Sequence, residues 1–500
     1  MKKDKTKIIL GALLFLFFAV LLLHPLNAIN QDLGRYFKVS ETILETKSIS
    51  KNNLFSYTEP EVEFINTHWL GGMTLFGLEK TVGLKGLILF KILIILLSFG
   101  LIFWMALKMS YFENRKNFYL VFFFSFVCLM LMLERTDVRP EIFSFLFFAI
   151  YYYILRTYKK GGKKIYFLPL IQLLWVNTHV YFFLGPVLWV AFLIGRWWQE
   201  KKYLELKKIL SVGMVTALVI FINPNTWKGA FYPFQFLKEY GYSIVENQTP
   251  IFLIAYNYHL EIIAVYFILS FLLILGFYIN RKNFKYFDLF FSVFLIYFGY
   301  FAIRNFPIFS MGVLPILAFN YSEIFKKFTE WVDSFEIKEL KLGKFFLMGF
   351  VVLLIIFNLN KIDLNTKPKA KDAVDFLIEN NIQGNIFNNY DVGGYLIYRL
   401  YPERKIFVDN RPEAYSVSFL QDTYIAILEN PELWGKKILE YDINIIFFEI
   451  TDGTPWAKTF LRRIVKDKQW IPIYLDNTQI ILIKNIEKNQ ELINSYSLII

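Results

Sequence analysis

The sequence predicts a polytopic α-helical membrane protein of about eleven spans, carrying an extracytoplasmic α/β domain at its C-terminal end. Three observations carry that prediction. Of the 500 residues, 56% are hydrophobic and 20% aromatic, with 56 Phe and 31 Tyr, more than a soluble core of this size requires. Charged residues make up only 19% and collect between long apolar runs. After Lys361 the composition changes, and charges spread through 367–500 between short apolar runs and polar turns.

The first apolar run, Ile8 to Leu26, follows a basic start and lacks a small-residue cleavage site, so it reads as an uncleaved helix. Further apolar cores lie near 86–107, 118–133, 142–156, 165–177, 180–197, 209–223, 259–279, 286–302, 306–320 and 344–359. The pair at 165–177 and 180–197 reads as a tight hairpin. Alternate connections are rich in Lys and Arg; the intervening ones hold few, Arg135, Arg139 and Arg304 among them. The positive-inside rule then places the N-terminus in the cytoplasm, with the first loop, 27–85, and the C-terminal domain outside. The domains are 1–360, in the membrane, and 361–500. The net charge of +12 belongs to this topology and not to nucleic acid. Cys128, the one cysteine, lies in an apolar run, so there is no disulfide framework.

In the C-terminal domain, Ile386-Phe387, Lys405 to Val408, Ile443 to Phe448, Ile471 to Leu475 and Gln479 to Ile483 read as strands. Residues 371–380, 417–428 and 432–440 read as helices. Residues 322–343 read as an amphipathic helix on the cytoplasmic surface.

Chemistry-bearing residues concentrate in the connections. The stretch from Asn30 to Leu70 is too polar for lipid and too apolar for a solvated linker. Leu33, Phe37, Ile43 and Leu44 recur at near-helical spacing, as in a helix lying flat on the membrane. Asp32 stands at its start, as an N-cap or as a general base just beyond a membrane exit. Between the third and fourth apolar runs, Glu134 to Glu141 crowds five charges into eight residues. Pro140 and Glu141 make a helix start. Arg139 is a fork for a phosphate oxygen pair, with Asp137 placed to hold it. Asn177 and His179 form the tip of the hairpin, costly at membrane depth unless paired or functional. Arg304 is a phosphate-binding candidate or a snorkelling side chain. His68, Glu141 and His179 could together ligate a divalent ion, although no ligand spacing motif points to one. In the C-terminal domain, Asp391 and Tyr395 belong to a glycine-paired turn. Asp409 and Arg411 stand at a strand end, as a ligand-facing couple or as a structural ion pair.

Together, the early Asp in a long first loop, the Arg-Pro-Glu helix start, the Asn-x-His hairpin tip, the Arg-Asn late loop and the outer C-terminal domain resemble the GT-C superfamily of membrane glycosyltransferases. That group includes protein mannosyltransferases, aminoarabinose transferases and oligosaccharyltransferase catalytic subunits. Asn388 to Tyr395, followed by Val408-Asp409-Asn410, is similar to the oligosaccharyltransferase Trp-Trp-Asp-Tyr-Gly block and the Asp-Asn after it. The tryptophans, which help that family bind an acceptor peptide, are absent, and so is the paired-acidic motif of the first loop.

The resemblance implies a polyprenyl-phosphate-linked sugar donor, with Arg139 and Arg304 neutralising its phosphate as it leaves. It implies Asp32 as base toward an acceptor hydroxyl, with inversion. His68, Asp137, Glu141, Asn177 and His179 then line the pocket. Asp391, Tyr395, Asp409 and Arg411 present the acceptor, whether glycan, lipid or protein. The alternatives are an oligosaccharide or protein glycosyltransferase of oligosaccharyltransferase type, a transporter of lipid-linked sugar, and a non-catalytic scaffold. A transporter calls for polar groups inside the spans, where Lys91 and Gln172 are the clearest.

Overall fold

The computed structural model describes residues 5–26, 32–110, 117–159, 161–200, 203–237, 240–325 and 339–499. Most of the amphipathic helix expected over 322–343 lies outside these residues. The chain forms two compact units. The first comprises Met1–Pro25, Lys85–Thr226 and Ile244–Leu364; the second comprises Leu26–Leu84, Trp227–Ser243 and Asn365–Ile500.

In the first unit every apolar run becomes a helix. They are Lys5–Leu21, the later part of Trp69–Met109, Asn117–Met132, Glu141–Arg156, Leu168–Thr178, Leu184–Glu200, Tyr203–Leu218, Leu260–Ile279, Tyr286–Phe301, Phe306–Asn320 and Glu339–Leu359. Among the described residues four helices are long and apolar enough to cross a membrane, Trp69–Met109, Asn117–Arg135, Val180–Gln199 and Leu260–Ile279. Counting the pair Lys207–Phe221 and Thr226–Gln235, bent by 112°, as one span makes five. Tyr286–Phe301 and Phe345–Leu359 are shorter apolar helices. These helices make the chain a membrane protein.

Trp69–Met109 begins well before the expected core at 86 and breaks at Gly83, whose φ of 69° only glycine adopts freely. Phe306–Asn320 is the centre of the unit, with every residue but Phe319 buried. Three of the charged or amide side chains inside the helices, Lys91, Gln172 and Arg156, find partners. Lys91 Nζ donates to the Leu22 carbonyl at 2.9 Å and meets His24 Nε2 at 3.0 Å. Gln172 donates to the Phe182 carbonyl at 3.0 Å, and Arg156 meets Asp288 at 2.7 Å. Pairing of this kind is what the apolar surroundings demand.

The second unit holds a four-stranded sheet in the order β1-β2-β4-β3. The strands are β1 (Asn385–Asn388), β2 (Ile443–Glu449), β3 (Trp470–Leu475) and β4 (Gln479–Lys484). β1 and β2 are parallel; the other pairs are antiparallel. Both faces are covered, so β2 and β4 read as unbroken apolar runs without alternation. Ile446, Phe448 and Leu482 face a core with Trp434, Phe460 and Ile464, from the helices Pro431–Glu440 and Pro455–Ile464. Ile445, Phe447, Ile481 and Ile483 face a second core with Val374, Leu377, Leu396 and Leu400. Those four come from the helices Lys371–Glu379 and Gly393–Leu400. Gly393 is where that second helix touches the 406–409 segment: a Cβ there would collide with the Val408 carbonyl and stand 2.6 Å from Asp409 Cα.

Lys405 to Val408, expected as a strand, does not join the sheet. Ile406 instead makes an isolated bridge to Ser56, with bonds from Ile406 N to Phe55 O and from Tyr57 N to Ile406 O. The other edge of the segment is satisfied by a side chain. Asn388, at the end of β1, donates to the Val408 carbonyl at 2.7 Å and accepts from Phe407 N at 3.1 Å. One carboxamide thus supplies a donor and an acceptor where a ladder would have used backbone. Asn389 does the same for β2, accepting from Glu449 N at 3.0 Å and donating to Asp452 at 3.0 Å.

Replacing Asn388 by Leu should therefore cost about 1–3 kcal/mol, the penalty for buried backbone groups left unsatisfied. Hydrogen exchange should show a loss of protection at the Phe407 amide; unchanged exchange there would refute this account.

Candidate functional site

The candidate residues fall into two groups, one in each unit. In the first unit the organiser is Glu246, in the connection after Tyr203–Leu218 and ahead of Leu260–Ile279. Arg135 joins both of its carboxylate neighbours, meeting Glu141 at 2.8 Å through Nε and Glu246 Oε2 through Nη1. The other oxygen, Oε1, lies 3.6 Å from Arg139 Nη1 and 3.9 Å from Arg304 Nη1. Arg304 also donates to Asn247 Oδ1 at 2.9 Å and lies over the Tyr181 ring. Two guanidiniums thus share one carboxylate oxygen loosely, while a third holds the rest of the anionic charge tightly. Among the described residues Arg304 Nε and Glu141 Oε1 are buried without a hydrogen-bond partner.

The sequence named Arg139, Arg304 and Glu141, and the structure brings them to this group. It does not bring Asp137 to Arg139. Asp137 lies 3.8 Å from His24, whose Nε2 meets Thr136 Oγ1 at 3.0 Å, and the carboxylate beside Arg139 is that of Glu246. His179 Nδ1 meets Ser144 Oγ at 2.9 Å and accepts from Tyr181 N at 3.3 Å. Asn177 donates to the carbonyls of Leu173 and Ile222, both at 2.9 Å, and so ties off backbone. Among the described residues no three His, Cys, Asp or Glu side chains are grouped as metal ligands. Of the trio considered for an ion, Glu141 is engaged by Arg135.

In the second unit Asp32 opens the helix Asp32–Thr46, as its acidic first-turn position favours. Its Oδ1 accepts from Arg35 Nη2 at 3.0 Å and from Asn410 Nδ2 at 2.8 Å. His68 Nδ1 meets Thr67 Oγ1 at 3.1 Å, and its ring stands 6.0 Å from that of Tyr36. Asp409 and Arg411 turn inward. Arg411 donates from Nε to Asp409 Oδ1 and from Nη2 to Oδ2, both at 2.7 Å, and from Nη2 to Asn53 at 2.8 Å. Its guanidinium lies 4.7 Å from the Phe64 ring centre, and Tyr415 donates to Asp409 at 2.9 Å. Both charged residues are buried, and the couple is closed on itself and braces the unit. Tyr395 is likewise buried, its hydroxyl accepting from Arg399 at 3.0 Å. Half-buried Asp391 lies close enough to influence Tyr242, whose ring stacks 4.0 Å from that of Tyr390.

Burial alone would push the Asp409 carboxyl up, but Arg411, by charge and hydrogen bond, holds it below the usual carboxylate range. Glu413 shifts the other way: burial pushes it up, and Arg35 and Arg411 only partly offset this. Sequence reasoning missed Glu246, Arg35 and Asn410. Arg35 was legible, three residues beyond Asp32 on a helix. Asn410, 378 positions from Asp32, and Glu246 carry no local signal.

No family model and no curated relative matches the chain. Solved structures do. Archaeal oligosaccharyltransferase AglB from Archaeoglobus fulgidus, in complex with an inhibitory peptide and a dolichol-phosphate, superposes with a TM-score of 0.61 at 10% identity, over 96% of this chain and 74% of that one. The chain shares its fold with this oligosaccharyltransferase. The oligosaccharyltransferase of the same organism, tethered to an acceptor peptide containing the NVT sequon, gives 0.58 at 10% identity, over 97% of this chain and 75% of that one. Its apo form gives 0.60 at 11% identity, over 92% and 71%. At these identities the likeness is one of fold.

Asp409 carries a pH prediction. Its folded pKa is depressed, so its contribution to stability is present above the unfolded value of about 3.9 and is lost as pH falls through the folded pKa. Asp409→Asn should cost about 3–5 kcal/mol near neutral pH, as breaking a buried pair does. The gap in Tm between wild type and variant should narrow as acid protonates the wild-type carboxyl. A gap independent of pH would assign the loss to packing.

Proposed function

We propose that the chain is a membrane glycosyltransferase that moves a sugar from a polyprenyl-phosphate-linked donor to an acceptor hydroxyl, with inversion. The observation that carries this reading is the sharing of one Glu246 oxygen by Arg139 and Arg304. A guanidinium beside a carboxylate can also pair with a phosphate, which offers more oxygens and more charge. Their catalytic work is to stabilise the negative charge that develops on the departing lipid phosphate. Asp32, fixed by Arg35 and Asn410, takes the proton of the acceptor hydroxyl. The distribution of Lys and Arg in the connections supports a cytoplasmic N-terminus and an extracytoplasmic 361–500 segment.

A second reading, transfer to a peptide, is favoured by the fold shared with an oligosaccharyltransferase solved with an acceptor peptide. A lipid-linked sugar transporter is less well supported, because Lys91 and Gln172 are both taken up by backbone carbonyls.

The test is a transfer assay on the purified full-length protein with a panel of polyprenyl-phosphate-linked sugars. Alcohols, sugars and a sequon peptide serve as acceptors, with and without chelator. Asp32→Asn should lower turnover by about 10²-fold or more. Arg304→Ala and Arg139→Ala should each lower donor cleavage by about 10²-fold. Labelling of the peptide alone would select the second reading. Donors that bind but stay intact would put the transporter reading first.

A further inference from the structure

We propose that Arg35 and Asn410 are positioning residues that fix the carboxylate of Asp32; the inference rests on the reading of Asp32 as the base. Both donate to the same oxygen, Oδ1, Arg35 at 3.0 Å and Asn410 at 2.8 Å. They approach from different parts of the second unit. Arg35 lies one turn further along the helix that Asp32 opens, and Asn410 lies in the segment after the Ile406 bridge. A carboxylate oxygen can only accept, so Asn410 must present its NH₂ to Asp32, which leaves its own carbonyl oxygen on the other side. Two donors converging on one oxygen define the plane and direction of the carboxylate in a way that one donor cannot.

Both donors are themselves held. Arg35 is 7% exposed, its guanidinium lies 4.8 Å from the Tyr36 ring centre, and Asp409 and Glu413 stabilise its charge. Asn410 sits between Asp409 and Arg411, the two ends of the buried ion pair, so its backbone has little freedom. Neither is fully used by the fold. Among the described residues Arg35 Nε and Asn410 Oδ1 are buried with no hydrogen-bond partner. A purely structural clamp would be selected to satisfy those atoms. Buried groups left unsatisfied around an oriented carboxylate are the pattern of a site whose geometry is kept at some cost to stability.

The experiment uses full-length protein, the donor panel above and four variants: Asp32→Asn, Asn410→Asp, Arg35→Gln and Arg35→Lys. Asn410→Asp preserves shape and exchanges a donor for a carboxyl. It should lower kcat by about 10- to 100-fold, the usual cost of losing a group that orients a reacting one. Donor KM should stay within about twofold, the mark of an interaction used in the transition state and not in binding. Arg35→Gln should behave alike, and Arg35→Lys should recover most of the loss. If Asp32→Asn is inactive while Asn410→Asp and Arg35→Gln keep wild-type kcat, the inference is overturned and the base reading stands. The same holds if their losses follow Tm or KM alone. Near-normal turnover by Asp32→Asn removes the base reading, and this inference with it.

Discussion

The second unit depends on the buried pair of Arg411 and Asp409. Two charges removed from water are tolerated only when their hydrogen-bonding capacity is nearly filled. Here the pair is bidentate, Asn53 takes a further N–H, Tyr415 donates to the carboxylate, and Phe55 and Phe64 offer ring faces to the guanidinium. Three of those partners, Asn53, Phe55 and Phe64, come from a stretch more than 340 positions earlier in the chain. The ion pair therefore decides where that stretch lies, and the bridge between Ser56 and Ile406 follows from it. Asn410 is carried between the two charged residues, so the ion pair also places a partner of Asp32.

The first unit treats charge in the opposite way. Arg135 engages both Glu141 and Glu246 at short range, and Oε1 of Glu246 lies at longer range from Arg139 and Arg304. The contrast is physical. Closed, fully bonded pairs hold structure because any change breaks several bonds at once. Loosely shared pairs can exchange partners, because the new anion replaces what the old one supplied.

Much of the fold was legible because burial leaves a pattern in sequence. The eleven apolar runs became helices, and β2 and β4 were plain as apolar runs because both sheet faces are covered. Pro140 and Glu141 marked a helix start for the same local reasons that hold in any chain. Legibility failed where a partner is remote. Lys405 to Val408 has strand composition, yet its bonds go to Asn388 and to Phe55–Tyr57, which no periodicity announces. Asp137 stands two residues from Arg139 and looked like its partner, whereas Glu246, over 100 positions away, is. In the candidate site, residue type singled out the arginines and Asp32, and distance in sequence concealed Glu246 and Asn410 beside them.

Asn388, the last residue of β1, and Asn389 stand where the resembling block has tryptophans. Here both side chains are amides, and both are committed. Asn388 completes the backbone bonding of Phe407 and Val408, and Asn389 that of Glu449. A side chain that replaces a ladder cannot also be released to a ligand without unsatisfying the backbone it serves. The aromatic faces nearby belong instead to Tyr390 and Tyr242, stacked on each other, with Trp456 edge-on to Tyr242.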